Sequence, residues 1–291
     1  MTIDLPPTPS QDDAWDMDIQ PQRNLFDLRL AELWRYRDLV ILFVRRDFVS
    51  AYKQTILGPL WYLIQPLLTT LTFTFIFGNI AGLPTDGLPR FLFYMSGTVV
   101  WSYFSNCLVK TSDTFIHNAG LFGKVYFPRM AVPVSILLSN LTSFSIQFLL
   151  FTLFALYFAL RDTAVHPNWS WIALSPVLVL MMAGLGLGFG IIISSLTTKY
   201  RDLRFMVQFG VQLLMYATPV IYPVSAIPER FRWVILVNPM TPIVEAFRYA
   251  FLGAGTANLG LLLYSFGCML VVVSLGSIIF NRVEQTFMDT V

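Results

Sequence analysis

The chain has 291 residues, of which 56% are hydrophobic and only 12% charged, and its mean hydropathy is +0.64. A soluble domain carries about 25% charged residues, so the composition is that of a membrane protein and excludes a pair of soluble domains. The formal net charge of +2 gives no nucleic-acid-binding balance, so no nucleic acid is expected as a partner.

Charge is placed unevenly along the chain. Residues 1–58 hold 7 Lys/Arg and 9 Asp/Glu, 16 of the 36 charged residues. The opening "MTIDLPPTPSQDDAWDMDIQPQ" is acidic and proline-rich, the reverse of a signal peptide. Residues 1–24 are therefore expected to be a disordered tail that stays in the cytoplasm. From Leu25 to Tyr52, Phe26, Leu30, Leu33, Val40, Val44 and Phe48 recur near helical spacing among Arg29, Glu32, Arg35, Asp38, Arg45 and Arg46. The apolar core "LVILFV" is too short to cross a bilayer. Residues 25–57 read as an amphipathic helix, either lying in the cytoplasmic interface with Trp34 and Tyr36 at headgroup depth or packed on the protein as a soluble helix.

A helical span takes ~20 mostly apolar residues. Six stretches approach this: 59–80, 91–109, 131–160, 171–196, 205–222 and 259–280. Backbone polar groups need internal partners in lipid, and such long runs do not show the alternation of a barrel, so helices are expected. Pro66 in the first predicts a kink, with Gln65 as a polar contact beside it. In the fourth, "MMAGLGLGFG" contains two overlapping small-xxx-small patterns, Gly184 with Gly188 and Gly186 with Gly190. That spacing suits close helix packing and not a nucleotide fingerprint. With the N-terminus inside, 14 Lys/Arg fall on the cytoplasmic side and 5 on the outer side, which predicts cytoplasmic termini. Between spans five and six, Pro223 to Gly255 has apolar pieces of half a span interrupted by Pro228, Pro239 and Pro242. A re-entrant hairpin is expected there. Glu245 and Arg248, three apart on one helix face, are expected to pair.

Little in the chain supports catalysis or metal binding. Cys107, Cys268, His117 and His166 are isolated from one another, and the cysteines sit in apolar runs that favour core packing. Asn140 and Asn168 match the glycosylation tripeptide, but Asn140 lies inside an apolar span. Ionisable residues are scarce in the spans and the two halves show no obvious repeat, which gives weak support to an ion-coupled carrier. The segment "HNAGLFGKVYFPR" half-matches a phosphate-binding loop and fails. Its glycines are two residues too close, and Val125 follows Lys124 where a hydroxyl should bind magnesium. No cofactor is expected on this chain; if ATP with Mg is used, another chain must bind it. Leu121, Phe122, Val125, Tyr126 and Phe127 read as a short apolar surface, either pressed into a cleft of a partner protein or lying against lipid headgroups.

Four spaced blocks carry a family resemblance: "RRDFVSAYKQTILGPLWYLIQP" (45–66), "NAGLFGKVYFPR" (118–129), "YRDLRFMVQFGVQLLMYATPVIYP" (200–223) and "NPMTPIVEAFRYAFL" (238–252). In order and over about residues 25–285, the chain resembles the permease subunit of bacterial ABC-type exporters, more narrowly those for O-antigen, capsule and teichoic-acid polysaccharides. The resemblance implies an all-α integral membrane protein of the bacterial inner membrane. Its parts are a gate helix (25–57), a six-span domain (58–285), a coupling helix at about 111–127 in the first inner loop, and outer re-entrant helices. It implies a permease homodimer, two copies of a separate ATPase subunit, no enzymatic activity in the permease, and a glycan on undecaprenyl pyrophosphate as substrate. By position, Asn118, Gly120, Leu121, Phe122, Lys124, Tyr126 and Phe127 are then the residues coupled to the ATPase. Arg45, Arg46 and Lys53 become candidates for guiding the pyrophosphate at the entrance, or simply for anchoring to anionic membrane lipids. Trp61, Tyr62, Tyr94, Trp101, Tyr103, Tyr216 and Tyr222 are candidate conduit aromatics, with interfacial belt or packing roles as the alternative. A permease for a drug or simple lipid, and a channel or ion-coupled carrier acting alone, are the rival readings.

Overall fold

The computed structural model describes residues 30–53, 55–122, 127–161, 164–198, 200 and 202–287. The expected tail 1–24, residues 25–29 of the expected gate helix, and Lys124 and Tyr126 of the expected coupling segment lie outside the described residues. Among the described residues 81% are helical and none is in a strand. In chain order the helices are α1 (Leu30–Arg35), α2 (Arg37–Tyr52), α3 (Trp61–Phe73), α4 (Arg90–Ser112), α5 (Thr114–Phe122) and α6 (Ala131–Arg161). They are followed by α7 (Trp169–Ile172), α8 (Ser175–Thr197), α9 (Leu203–Tyr216), α10 (Glu229–Val237), α11 (Met240–Leu252) and α12 (Leu259–Phe287).

Among the described residues four helical stretches are long and apolar enough to cross a membrane: Gly58–Ile80, Ala131–Arg161, Ser175–Thr197 and Leu259–Val283. The first joins α3, with Pro66 buried inside it and Gln65 exposed, to a π-helical stretch Thr74–Ile80. Helix α4 is as long as α8, at 23 residues, but less apolar. It is the central helix, with every residue from Leu92 to Trp101 buried. Its apolar surroundings come from neighbouring helices, so its own sequence need not satisfy lipid.

Two expectations are corrected. The stretch 205–222 is not one span-length helix: α9 stops at Tyr216 after 14 residues, about 21 Å at 1.5 Å per residue. Pro219 has no amide to continue the ladder, so the chain turns instead. The expected gate helix is also divided, at Tyr36, into α1 and α2. One face of α2 packs on the protein through Val40 and Phe43, while Ile41, Leu42 and Val49 are exposed.

The two glycine patterns of α8 serve two different neighbours. Residues two apart differ by about 200° around a helix, so the pairs face opposite ways. A Cβ at Gly186 would lie 2.7 Å from Cys107 Cβ, and one at Gly190 would lie 2.6 Å from Thr111 Cβ, both on α4. A Cβ at Gly184 would lie 2.5 Å from Met269 Sδ, and one at Gly188 would lie 2.8 Å from the Val272 backbone, both on α12. Helix α8 is thereby clamped between α4 and α12 at backbone distance. A second, smaller core joins Val40 and Phe43 of α2 to Phe115 and Phe122 of α5, Ala131, Ile191 and Phe280. This cluster marks one end of the bundle; α10 and α11 mark the other.

Candidate functional site

Helix α5 is a short crosspiece at the end of α4, separated from it by Asp113. It is bonded to the bundle at its start. The Thr197 hydroxyl donates to the Ser112 carbonyl at 3.2 Å, and the Phe115 amide donates to Ser194 Oγ at 3.3 Å. The buried Asp113 carboxylate pairs with Arg204 Nε, in the first turn of α9, at 3.1 Å. Arg204 Nη2 also lies 3.3 Å from His117 Nε2. This link between α5 and α9 was not legible in the sequence, because nothing local connects positions so far apart.

Of the expected apolar surface, Phe122 and Phe127 turn inward and Leu121 is half-buried, while Val125 and Tyr126 lie outside the described residues. Phe122 and Phe127 are 2% and 6% exposed, packed with each other at 5.8 Å and covered by Arg129, whose guanidinium sits 5.5 Å from the Phe122 ring. Phe115 and Phe122 are seven apart, two helical turns, so α5 gives one aromatic face to the protein, with Phe115 stacked on Phe280 at 4.6 Å. That spacing was the available signal. What α5 turns outward is His117 and Gly120, with Asn118 and Leu121 half-buried. A Cβ at Gly120 would meet nothing within 4 Å. The outward face is small and polar, able to receive a partner's side chains.

The basic candidates at the α2 end are all exposed. Arg46 is already engaged: its fork donates to Asp47 Oδ1 at 2.8 and 2.9 Å, and its guanidinium lies 4.8 Å from the Phe43 ring. Arg45 and Lys53 extend into the surroundings. The aromatic candidates divide. Tyr94, Trp101 and Tyr103 are 0%, 6% and 4% exposed, because they stand on the enclosed helix α4 and pack there, Tyr103 at 4.9 Å from Phe144. They are core residues and present no surface to a conduit. Trp61 and Tyr216 are exposed, and Tyr62 and Tyr222 are half-buried. Tyr222 donates to the Tyr216 carbonyl at 2.8 Å, joining the end of α9 to the following turn. Helix α9 has no buried residue and exposes Phe205, Met206, Phe209 and Leu213 along its length.

At the opposite end, α11 is buried at every position except Tyr249. The expected Glu245–Arg248 pair is present at 3.4 Å, with side chains only 3% and 1% exposed. Arg248 does more than pair. Its Nη1 donates to the Pro219 carbonyl at 2.5 Å, its Nη2 to the Val220 carbonyl at 2.7 Å and its Nε to Ser96 Oγ at 3.3 Å. The guanidinium also covers the Phe93 ring at 3.9 Å. One planar fork thus ties α11, the turn after α9 and the start of α4 together. Glu245 Oε2 accepts from the Thr256 amide at 3.1 Å. Asn238, between α10 and α11, donates to the buried Thr218 hydroxyl at 2.8 Å and accepts from the Met240 amide at 3.0 Å. Gly253 ends α11 with φ 78, where a side chain would collide with the His166 carbonyl. Of the two helices, α11 is covered by protein, whereas α10 has no buried residue.

Comparison with known proteins gives a family and several named relatives. Residues 38–252 match the family model described as ABC-2 type transporter. An O-antigen export system permease protein RfbA of Klebsiella pneumoniae is 31% identical over 254 residues, 87% of this chain and 94% of its own. The protein of the same name from Myxococcus xanthus is 29% identical over 225 residues, 76% of this chain and 83% of its own. The inner membrane transport permease YadH of Escherichia coli K12 is 23% identical over 225 residues, 72% of this chain and 82% of its own.

Proposed function

Since the chain belongs to the ABC-2 type transporter family, we propose that it is the membrane permease of an ATP-driven exporter moving lipid-linked polysaccharide of the O-antigen type across the bacterial inner membrane. The observation that carries this reading is the likeness, over most of both chains, to relatives named O-antigen export system permeases. A six-span topology is supported by geometry: α3, α4, α6, α8, α9 with its following turn, and α12 alternate in direction between the α5 end and the α11 end. Lysine and arginine asymmetry puts both termini and α5 in the cytoplasm. The α10–α11 hairpin then faces outward.

In this reading two permeases pair with two ATPase subunits, which hold the nucleotide and magnesium and do all the hydrolysis. Closure of the ATPases presses on the His117–Gly120 face of α5. Bonds through Ser112, Ser194 and Thr197 join α5 to α4 and α8, which are locked at backbone distance. The Asp113–Arg204 pair joins α5 to α9, which has no buried residue and can move. Force therefore reaches the mobile helix while the frame stays fixed, giving the two discrete arrangements that coupling needs. Arg45 and Lys53 draw the pyrophosphate to the entrance, and Trp61, Tyr62, Tyr216 and Tyr222 offer faces to sugars.

The test is complementation. The chain, expressed with its partner ATPase, should restore surface polysaccharide to a strain lacking its own O-antigen permease. Restoration must vanish when the ATPase's nucleotide site is disabled. Uphill export by the permease alone would refute the proposal.

A further inference from the structure

Helix α4 changes character along its length. Every residue from Leu92 to Trp101 is buried, and α3 closes one face of that half: the Thr70 and Thr98 hydroxyls bond at 3.2 Å, and the Phe73 and Tyr94 rings meet at 6.5 Å. One turn further on, that cover ends. Ser102 and Asn106 follow Thr98 at four-residue steps, with Ser105 and Val109 beside them, so they continue the face that α3 leaves; Lys110 stands one step beyond, toward α6. Asn106 and Lys110 are exposed and the other three half-buried, whereas Tyr103, Phe104, Cys107 and Leu108, on the remaining faces, stay buried. From Arg90 to Lys110 the helix rises about 30 Å, the thickness of a bilayer's hydrocarbon core. With Lys110 at one boundary, Asn106 lies ~6 Å and Ser102 ~12 Å inside it.

The polar groups left uncovered are hydroxyl, amide and ammonium. The Asn106 side chain has no hydrogen-bond partner among the described residues. Lys110 gives one proton to Oδ1 of the buried Asn140, on α6, at 2.9 Å, and an ammonium has three to give. The carboxylate that acts on it is Asp47 of α2, whose Oδ1 already takes the Arg46 fork at 2.8 and 2.9 Å. Arg46, Asp47 and Lys110 together keep one net positive charge. Acyl chains offer these groups no acceptor, and polar side chains at membrane depth face protein or a water-filled space. A second copy pressed dry against this face would strand the same groups unless it brought matching ones. Water satisfies a run of hydroxyl and amide; an anion matches the net charge at headgroup depth.

We infer that the uncovered half of α4 lines a water-filled crevice, open at the α5 end, that receives the phosphorylated headgroup of a membrane lipid with Lys110 as its countercharge. The inference rests on the proposed reading only for the span role of α4 and for which side of the membrane the crevice opens to. The test uses the full-length permease in phosphatidylcholine vesicles, with Cys268 replaced by serine and Cys107 left in its buried place as the background control. Ser102→Cys and Asn106→Cys should react with a charged, water-soluble thiol reagent roughly tenfold faster than Leu149→Cys, because only a wetted thiol ionises. Leu149 is exposed on α6 at a depth like that of Ser102, nine residues past Asn140. Two cysteine positions guard against one variant failing to fold. Added undecaprenyl diphosphate should then slow Asn106→Cys labelling several-fold; Lys110→Gln should abolish that protection and Lys110→Arg should keep it. Protection by phosphatidylglycerol to the same degree also supports the seat and makes bulk lipid its occupant. Labelling no faster than Leu149→Cys, as under a dry cover of lipid or a second copy, would overturn the inference, as would protection by neither lipid or protection that survives Lys110→Gln. Failure of complementation with labelling and protection intact would remove the exporter reading and leave the crevice standing.

Discussion

Replacing Arg248 with methionine probes the anchor of the α10–α11 hairpin. The side chain is 1% exposed and bonds four oxygens: two backbone carbonyls, a serine hydroxyl and the Glu245 carboxylate. Methionine fills much of the volume but leaves the buried carboxylate without its cation and the Pro219 and Val220 carbonyls without a donor. Breaking a buried pair from one side costs about 3–5 kcal/mol. At about 2–4 °C per kcal/mol for a chain of this size class, the melting temperature of the detergent-solubilised protein should fall by roughly 6–20 °C. Intrinsic fluorescence of the 7 tryptophans gives the readout. The companion E245Q/R248M removes the stranded charge while leaving an acceptor for Thr256, and should recover part of the loss. Arg248→Lys should fall between, because an ammonium keeps the charge but cannot fork onto two carbonyls. If Arg248→Met melts within ~2 °C of wild type, or the double variant recovers nothing, the fork does not hold this end together.

Three further outcomes are expected. Gly188→Ala places a methyl 2.8 Å from the Val272 backbone, which cannot rotate away, and should cost about 1–3 kcal/mol in thermal stability, whereas Gly210→Ala, with nothing within 4 Å, should be neutral or slightly stabilising. Asp113→Asn should shift melting by only ~2–4 °C, since Arg204 is 38% exposed and screened, yet lower export per ATP hydrolysed several-fold; unchanged coupling would remove the pair from the transmission path. Gly120→Cys should react with membrane-impermeant maleimide only in inside-out vesicles, and become protected when the ATPase is bound; labelling from the outside would reverse the topology.

How much was legible beforehand depended on whether a feature was local. The paired glycines of α8 and the i, i+3 spacing of Glu245 and Arg248 are short-range patterns, and the packing and pairing they imply are present. Long-range consequences were hidden. Arg248 reads as half of an ion pair, but its carbonyl partners lie in another segment, so its grip on Pro219 and Val220 has no sequence signature. The aromatics of α4 look like those of α3 and α9 on composition alone. Only the position of α4 between α3, α6 and α8 makes Tyr94, Trp101 and Tyr103 core residues. Phe122 misled for a related reason: an apolar residue in a polar segment marks a contact, but does not say whether the contact is with the same chain or another.

The division between α4 and α9 bears on mechanism. Helix α4 is buried over most of its length and backed by glycines of α8, so shifting it means opening close-packed contacts over many residues at once. Helix α9 has no fully buried residue: Val207, Val211, Leu214 and Met215 are half-buried against the main core, while its polar ties to other elements lie at its ends. Arg204 pairs with Asp113 at the α5 end; beyond Tyr216, Thr218 receives Asn238 and the Pro219 and Val220 carbonyls receive Arg248. A helix bonded at its two ends and only lightly packed along one face between them tilts when one end moves, and here the movable point is the one bonded to α5. Substitutions in the middle of α9, at Gln208 or Gln212, should therefore alter passage of cargo with little effect on melting, while substitutions at its end ties should alter both. If the middle and the ends behaved alike in the two assays, α9 would be part of the frame and the push would have to travel elsewhere.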